Sequence, residues 1–171
     1  MTEPDPVHQR FLLKLDGSDY PVFLVARMFR LQGRYVTLPP IHRAPTRAQA
    51  HLYSDDGDLR TLHNGEERTY SVKGISYTFV GDPTVKGGWP FHDILVDTVT
   101  GVDELGDKTH AYITVSADFS TICVVEASSR PRWKKRWIDT DEGKKHNYFA
   151  DLADGRWFAL PTPAPSPDPA S

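Results

Sequence analysis

Apolar and polar residues alternate with a period of two along most of this chain. In VHQRFLLKL, Val7, Gln9, Phe11, Leu13 and Leu15 share one face, while His8, Arg10, Leu12 and Lys14 share the other. That is the pattern of a half-buried strand. DGSD at 16–19 reads as a turn. The next stretch, YPVFLVARMFRLQG at 20–33, carries two signals. Asp19, Pro21 and Gly33 stand where the N-cap, first turn and C-terminal glycine of a helix would fall. Its Val and Phe content and its strand-like neighbours nevertheless predict a strand.

Further along, GRYVTL and AHLYS read as short extended segments around a Pro-interrupted connection. DDGD and NGEE are turns bounding one more strand. ERTYSV and ISYTFV alternate on either side of Gly74. HDILVDTV and HAYITVS are predicted strands joined through TGVDELGDK, and ADFS turns the chain into TICVVEA. TICVVEA is apolar on both faces, as expected of a strand inside a sheet. Asp139 followed by Glu142 has the spacing of a capping box, and Tyr148, Phe149 and Leu152 share a helical face. A short helix is therefore predicted near 140–153, stopped by Gly155. RWFAL supplies the last strand.

The sum is a mainly β chain: an antiparallel barrel or sandwich of about 9–11 short strands with one short C-terminal helix. The predicted limits are a disordered start over 1–6, one β-rich domain over 7–160, and a disordered tail over 161–171. The tail carries Pro161, Pro163, Pro165, Pro167 and Pro169 at every second position, leaving few backbone donors for any ladder.

Composition narrows the classes. The single cysteine, Cys123, excludes an internal disulfide and a zinc ribbon. With no apolar run of membrane-spanning length and no secretory pattern, no membrane role is expected and the compartment reads as cytoplasmic. Net charge is −3, without the domain-wide basic excess of a nucleic-acid binder. The distribution is uneven. Five of the 20 Lys and Arg lie in RPRWKKRW at 130–137, whereas 93–107 holds Asp93, Asp97, Asp103, Glu104 and Asp107 with no cation. An electrically polarised molecule is expected.

No P-loop, GxGxxG, HExxH or GxSxG is present, so no cofactor and no metal are expected. Cys123 lies in the strand expected to be buried and reads as a small hydrophobe. His92 and Asp93 point to opposite faces if both lie on a strand. Asp93 and Asp97 share a face about 13 Å apart, too far to share a proton. They read as a solvated acidic face.

Two groups remain as candidate sites. His110, Tyr112, Thr114 and Ser116 form a polar row opposite Ala111, Ile113 and Val115. It is a wet face in a sandwich, and a ligand-orienting row in a barrel with a lumen. The second group is a candidate binding surface of Trp89, Arg130, Arg132, Trp133, Lys134, Lys135, Arg136 and Trp137. Trp89 sits in GDPTVKGGWPF, a loop long enough to bind or to cover something. In RPRWKKRW, Pro131 marks an edge strand or loop. The indoles are expected to cap the core there, and the cations to guard the edge.

The function expected from these features is non-catalytic: a binding or interaction module for an unidentified protein or small-molecule ligand. One alternative is a small β-barrel enzyme of the lyase or isomerase type, with His110 and Tyr112 as acid–base groups. The other is a single-stranded nucleic-acid binder, with cations on phosphates and indoles on bases, which the acidic balance favours less.

Overall fold

The computed structural model describes residues 6–39, 45–46, 57–81, 86 and 88–161, and within 6–18 it describes the backbone alone. A helix opens the chain, α1 (Pro6–Leu31), followed by β1 (Tyr35–Thr37), β2 (Leu59–His63), β3 (Glu66–Gly74) and β4 (Asp93–Thr98). Then come α2 (Val99–Leu105), β5 (Thr109–Val115), β6 (Thr121–Glu126), β7 (Lys134–Thr140), β8 (Gly143–Asp151) and β9 (Gly155–Ala159). A 3-10 turn, Ala127–Arg132, leads into β7.

The strands form two sheets. One has the order β1-β2-β3-β5-β6-β9, the other β4-β8-β7, and neither closes into a barrel. The chain is mainly β, as the alternation predicts. Its larger sheet is mixed, however, because β3 and β5 run parallel. Between them the chain leaves for the second sheet, lays down β4 and returns through α2, so β5 enters from the same end as β3.

Both faces of the larger sheet are covered. On one face, Leu24, Val25, Met28 and Phe29 of α1 pack on Tyr70, Val72, Ala111, Ile113, Val115 and Ile122. On the other, Tyr112, Cys123 and Val125 meet Ile94, Val96, Tyr148 and Ala150 of the second sheet, with Phe79, Trp89, Val102 and Trp133 closing the same core. The order is therefore helix, sheet, sheet. Burial holds the Cys123 thiol up to about 12, which keeps it protonated and inert, as its apolar strand predicts.

Several sequence-based expectations are corrected. The predicted strands over 7–15 and 20–32, and the turn between them, are one helix, α1. Exposure at Tyr20, Phe23, Arg30 and Leu31 against burial at Leu24, Val25, Met28 and Phe29 follows the helical repeat. Gly33 does end the helix as anticipated. With φ +80°, it lets Arg34 N reach back to the Phe29 carbonyl at 3.1 Å, a Schellman closure.

The predicted helix at 140–153 is instead the hairpin β7–β8. Thr140 Oγ1 donates to the Gly143 carbonyl (2.7 Å) and accepts from Glu142 N (3.2 Å), so the apparent capping spacing belongs to a turn. β8 lies between β4 and β7, and residues 147–150 are buried without interruption, which imitates neither a clean strand nor a clean helix. ISYTFV forms no strand. It crosses between the sheets, tied by Ala117 N to the Tyr77 carbonyl and by Phe79 N to Ser116 Oγ, both at 3.0 Å. TGVDELGDK contains α2, capped where Thr98 Oγ1 accepts from Gly101 N.

Pro6, assigned to the disordered start, begins α1. The remaining N-terminal residues, AHLYS and the prolines beyond Pro161 lie outside the described residues. No helix among the described residues is long and apolar enough to cross a membrane.

Candidate functional site

The basic octapeptide has a definite place. Its first half is the 3-10 turn, and its second half opens β7, the edge strand of the smaller sheet, as Pro131 suggests. Each cation finds a local partner. Arg130 pairs with Asp103 (2.5 Å), Arg132 with Asp154, Lys134 with Asp151 (3.3 Å) and Arg136 with Asp93 (2.8 Å). The Lys135 ammonium lies 5.1 Å from the centre of the Tyr148 ring. The expected polarisation is thus largely cancelled inside the molecule, because Asp93 and Asp103 of the acidic stretch face these cations. The acidic face is not simply solvated either: the Asp93 side chain is only 15% exposed.

The two indoles separate. Trp133 is buried and donates from Nε1 to Ser129 Oγ at 2.8 Å, while Trp137 is exposed and stacks flat on His146 at 4.6 Å. Only the first caps the core, so the expectation that both do is corrected. His92 also departs from its predicted place. It precedes β4, escapes the pleat, and puts Nε2 3.6 Å from Asp93 and 3.4 Å from Arg136 Nη1.

The polar row of β5 is not a wet face, and its last two members, Thr114 and Ser116, border an open cleft instead of a barrel lumen. Tyr112, Thr114 and Ser116 are buried between the sheets. Tyr112 meets Trp133 edge to face (5.6 Å), and Ser116 Oγ accepts from Phe79 N and donates to Asp118. His110 leaves the row at a β-bulge. Thr69 pairs with Thr109 and Tyr70 with Ala111, so His110 has no opposite number. A bulge re-aims the extra side chain, and here the imidazole turns to the Tyr70 ring (5.6 Å) and Arg68 Nη1 (3.3 Å). Burial and the Arg68 charge hold its pKa below the usual histidine value. His110 and Tyr112 therefore do not form an acid–base pair.

Because Tyr112 is buried, a charge there is not tolerated. Tyr112→Lys should cost at least the roughly 3–5 kcal/mol of a buried aromatic truncation, plus that of an unpaired ammonium. Urea unfolding checks this, and a wild-type midpoint would place the side chain in water.

The candidate site is the cleft of about 830 Å³ where the two sheets part at one end. Its walls carry Tyr77, Trp89, Phe91, Phe119 and Phe149, and a polar side made of Ser76, His92, Thr114, Ser116, Thr140, Asp141, Lys145 and the Asp93–Arg136 pair. The Trp89 loop and Arg136, far apart in sequence, meet here. Trp89 is an anchor: it is buried, packs on Phe79 and Phe91, and donates from Nε1 to the Asp93 carbonyl at 2.8 Å. The lip is different. Tyr77, Phe91 and Phe119 are exposed aromatics, and Tyr77 meets Phe91 edge to face at 5.0 Å. The Arg136 guanidinium lies 3.9 Å above the Phe149 ring, held there by Asp93. Such a cavity can enclose a flat apolar body, and its charged wall is internally neutral.

Trp89, Arg136 and the loop ending at Phe91 stand out in the sequence, whereas Tyr77, Phe119 and Phe149 do not. ISYTFV looked like one more strand, and nothing local marks its aromatics as a rim. No family model, curated protein or solved structure matches the chain.

Proposed function

We propose that this protein is a non-catalytic binding module that takes a small, largely apolar, aromatic ligand in the inter-sheet cleft. The carrying observation is the cleft itself, with five aromatic rings around a cavity of about 830 Å³. Small-molecule sites typically fall within roughly 300–1,000 Å³, with apolar and aromatic linings and few polar groups. Exposed aromatics gathered at one mouth mark a contact surface more than scattered ones do. The two facing sheets also support reading the scaffold as sandwich-like.

The other readings have less support. The lyase or isomerase reading asked His110 and Tyr112 to act together, and the bulge separates them. The nucleic-acid reading asked the octapeptide cations to meet phosphates, and carboxylates or a ring already meet them.

The test uses N-phenyl-1-naphthylamine, an uncharged fluorescent aromatic. Saturable enhancement at one site per chain is expected. The double variant Tyr77→Ser, Phe91→Ser should weaken it about tenfold, since each ring contact is worth about 0.5–1.5 kcal/mol and 1.4 kcal/mol is a factor of ten. Absence of saturable binding, or an unaffected double variant, would remove the cleft as the site.

A further inference from the structure

A second concavity lies on the opposite side of the larger sheet. It is a groove of about 550 Å³ between the C-terminal end of α1 and strands β3, β5, β6 and β9. Its floor is apolar, with Phe29, Ala111, Ile113, Ile122 and Phe158 among its residues. Three guanidiniums line it, Arg34, Arg68 and Arg156, against one carboxylate, Glu126.

The three arginines are not equivalent. Arg68 is forked onto Glu66 at 2.9 and 3.0 Å, and Arg156 reaches Glu126 at 3.3 Å. Among the described residues, Arg34 meets the Tyr70 hydroxyl at 3.2 Å and the face of the Phe29 ring at 5.0 Å. Neither neutralises it, and the Glu66 carboxylate, which feels the Arg34 charge, is already bound by Arg68. The ring and hydroxyl do fix the guanidinium in place, which lowers the cost of ordering it around a ligand. The end of α1 adds roughly half a negative charge, less than the whole charge Arg34 brings.

The fork of Arg68 is taken by Glu66, so Arg68 adds charge to the rim and leaves the head-group contact to Arg34. Glu66 sits on the solvent side, exposed, while Arg68 Nη1 points at His110 Nε2. The bulge that removed His110 from the row on β5 places an imidazole acceptor against this arginine. The result is a pocket with an apolar base and a cationic rim, the arrangement that suits an anion with an aliphatic tail. A guanidinium binds a carboxylate through two parallel hydrogen bonds, and an alkyl chain gains from each methylene laid on the floor.

We infer that this groove is a binding site for a free aliphatic carboxylate, with its head on Arg34 and its tail over Phe29, Ile113 and Ile122. It is separate from the inter-sheet cleft, so the two sites fill independently.

The experiment is calorimetric titration of the full chain with decanoate and with decyltrimethylammonium, which share the tail and differ in charge. Saturable binding of decanoate at one site, with none for the cation, is expected. Arg34→Gln should weaken decanoate at least tenfold, Arg34→Lys less, and Arg130→Gln not at all, at unchanged thermal midpoints. Amide chemical shifts of Ala111, Ile113 and Phe158 should move with decanoate. Because Arg34 touches Tyr70, a misfolded Arg34→Gln protein would be replaced by Arg34→Lys with the same shift mapping.

Equal binding of both amphiphiles would overturn the inference, because it would show hydrophobic adsorption alone. An Arg34→Gln protein that binds normally would overturn it too. So would displacement of N-phenyl-1-naphthylamine by decanoate, which would place the acid in the cleft. Tighter decanoate binding after removal of residues 162–171 would show that the chain's own end, leaving at Pro161 on the rim, is the natural occupant, and would overturn the assignment to a free acid.

Discussion

Trp133→Ala is expected to cost about 3–5 kcal/mol of folding stability, and Trp137→Ala almost none. The indoles lie four residues apart in one basic stretch, yet Trp133 is 8% exposed and Trp137 is 66% exposed. Trp133 stands between Tyr112 of β5 at 5.6 Å and Tyr148 of β8 at 5.8 Å, so it joins the two sheets edge to face. Its Nε1 donates to Ser129 Oγ, which donates to the Glu126 carbonyl, so the indole also holds the turn that starts β7. Truncation opens a cavity, unpairs Ser129 and loosens the turn together. Against a total of roughly 5–15 kcal/mol, that is a large share.

The cations of the same stretch should matter far less. Changing Arg132, Lys134 and Arg136 together to Ser breaks ion pairs that lie partly in water, each worth at most about 1 kcal/mol. Arg132 and Arg136 carry most of that, since their partners Asp154 and Asp93 are far less exposed than Asp151, the partner of Lys134. Urea unfolding of the three variants side by side decides the matter. A Trp133→Ala protein that unfolds with the wild-type midpoint would mean the indole does not join the sheets.

Val25→Asp should leave little folded protein at neutral pH. Val25 is fully buried where α1 lies on the larger sheet, among apolar side chains. An ionised carboxylate in apolar surroundings has no compensating partner, so burial raises its pKa and the protein opens rather than hold the charge. The pH dependence follows from that direction. The folded-state pKa of the new Asp lies above its unfolded value of about 3.9, so the unfolded chain binds fewer protons between the two values. The deficit relative to wild type is full above the folded-state pKa and shrinks as pH falls through it. Arg30→Asp, on the exposed side of the same helix, should change stability little. Circular dichroism in urea at pH 7 and pH 4.5 reads both effects. A Val25→Asp protein as stable as wild type would mean that α1 does not cover this face.

Several features were legible because a few adjacent residues decide them. Asn64 and Gly65 both take positive φ, 50° and 78°, which a two-residue hairpin demands and which these residue types accept. They set β2 against β3 with no help from elsewhere. The apolar run around Cys123 could only be buried on both faces, and it is. Pro131 barred the start of the octapeptide from a central strand. The mainly β character rests on such local choices.

The rest was decided by distant parts of the chain. Residues 20–32 satisfy a period of two about as well as one of 3.6. The helix wins because the larger sheet presents a second apolar face, built by β3, β5 and β6, that a helix covers. Residues 147–150 are buried on both faces only because β4 and β7 flank β8. Pairing of the octapeptide with Asp93, Asp103, Asp151 and Asp154 spans up to 43 positions and cancels a polarity that linear charge counting predicts. The bulge at His110 exists only in the register of β5 against β3, and one residue of slip there moves an imidazole from the inter-sheet core to the arginine groove. Local sequence determined the tight turn at Asn64–Gly65 and the end of α1 at Gly33, because backbone dihedrals are local. Which faces met, and so where both concavities lie, was left to packing, since apolar surface has no direction until a partner surface covers it.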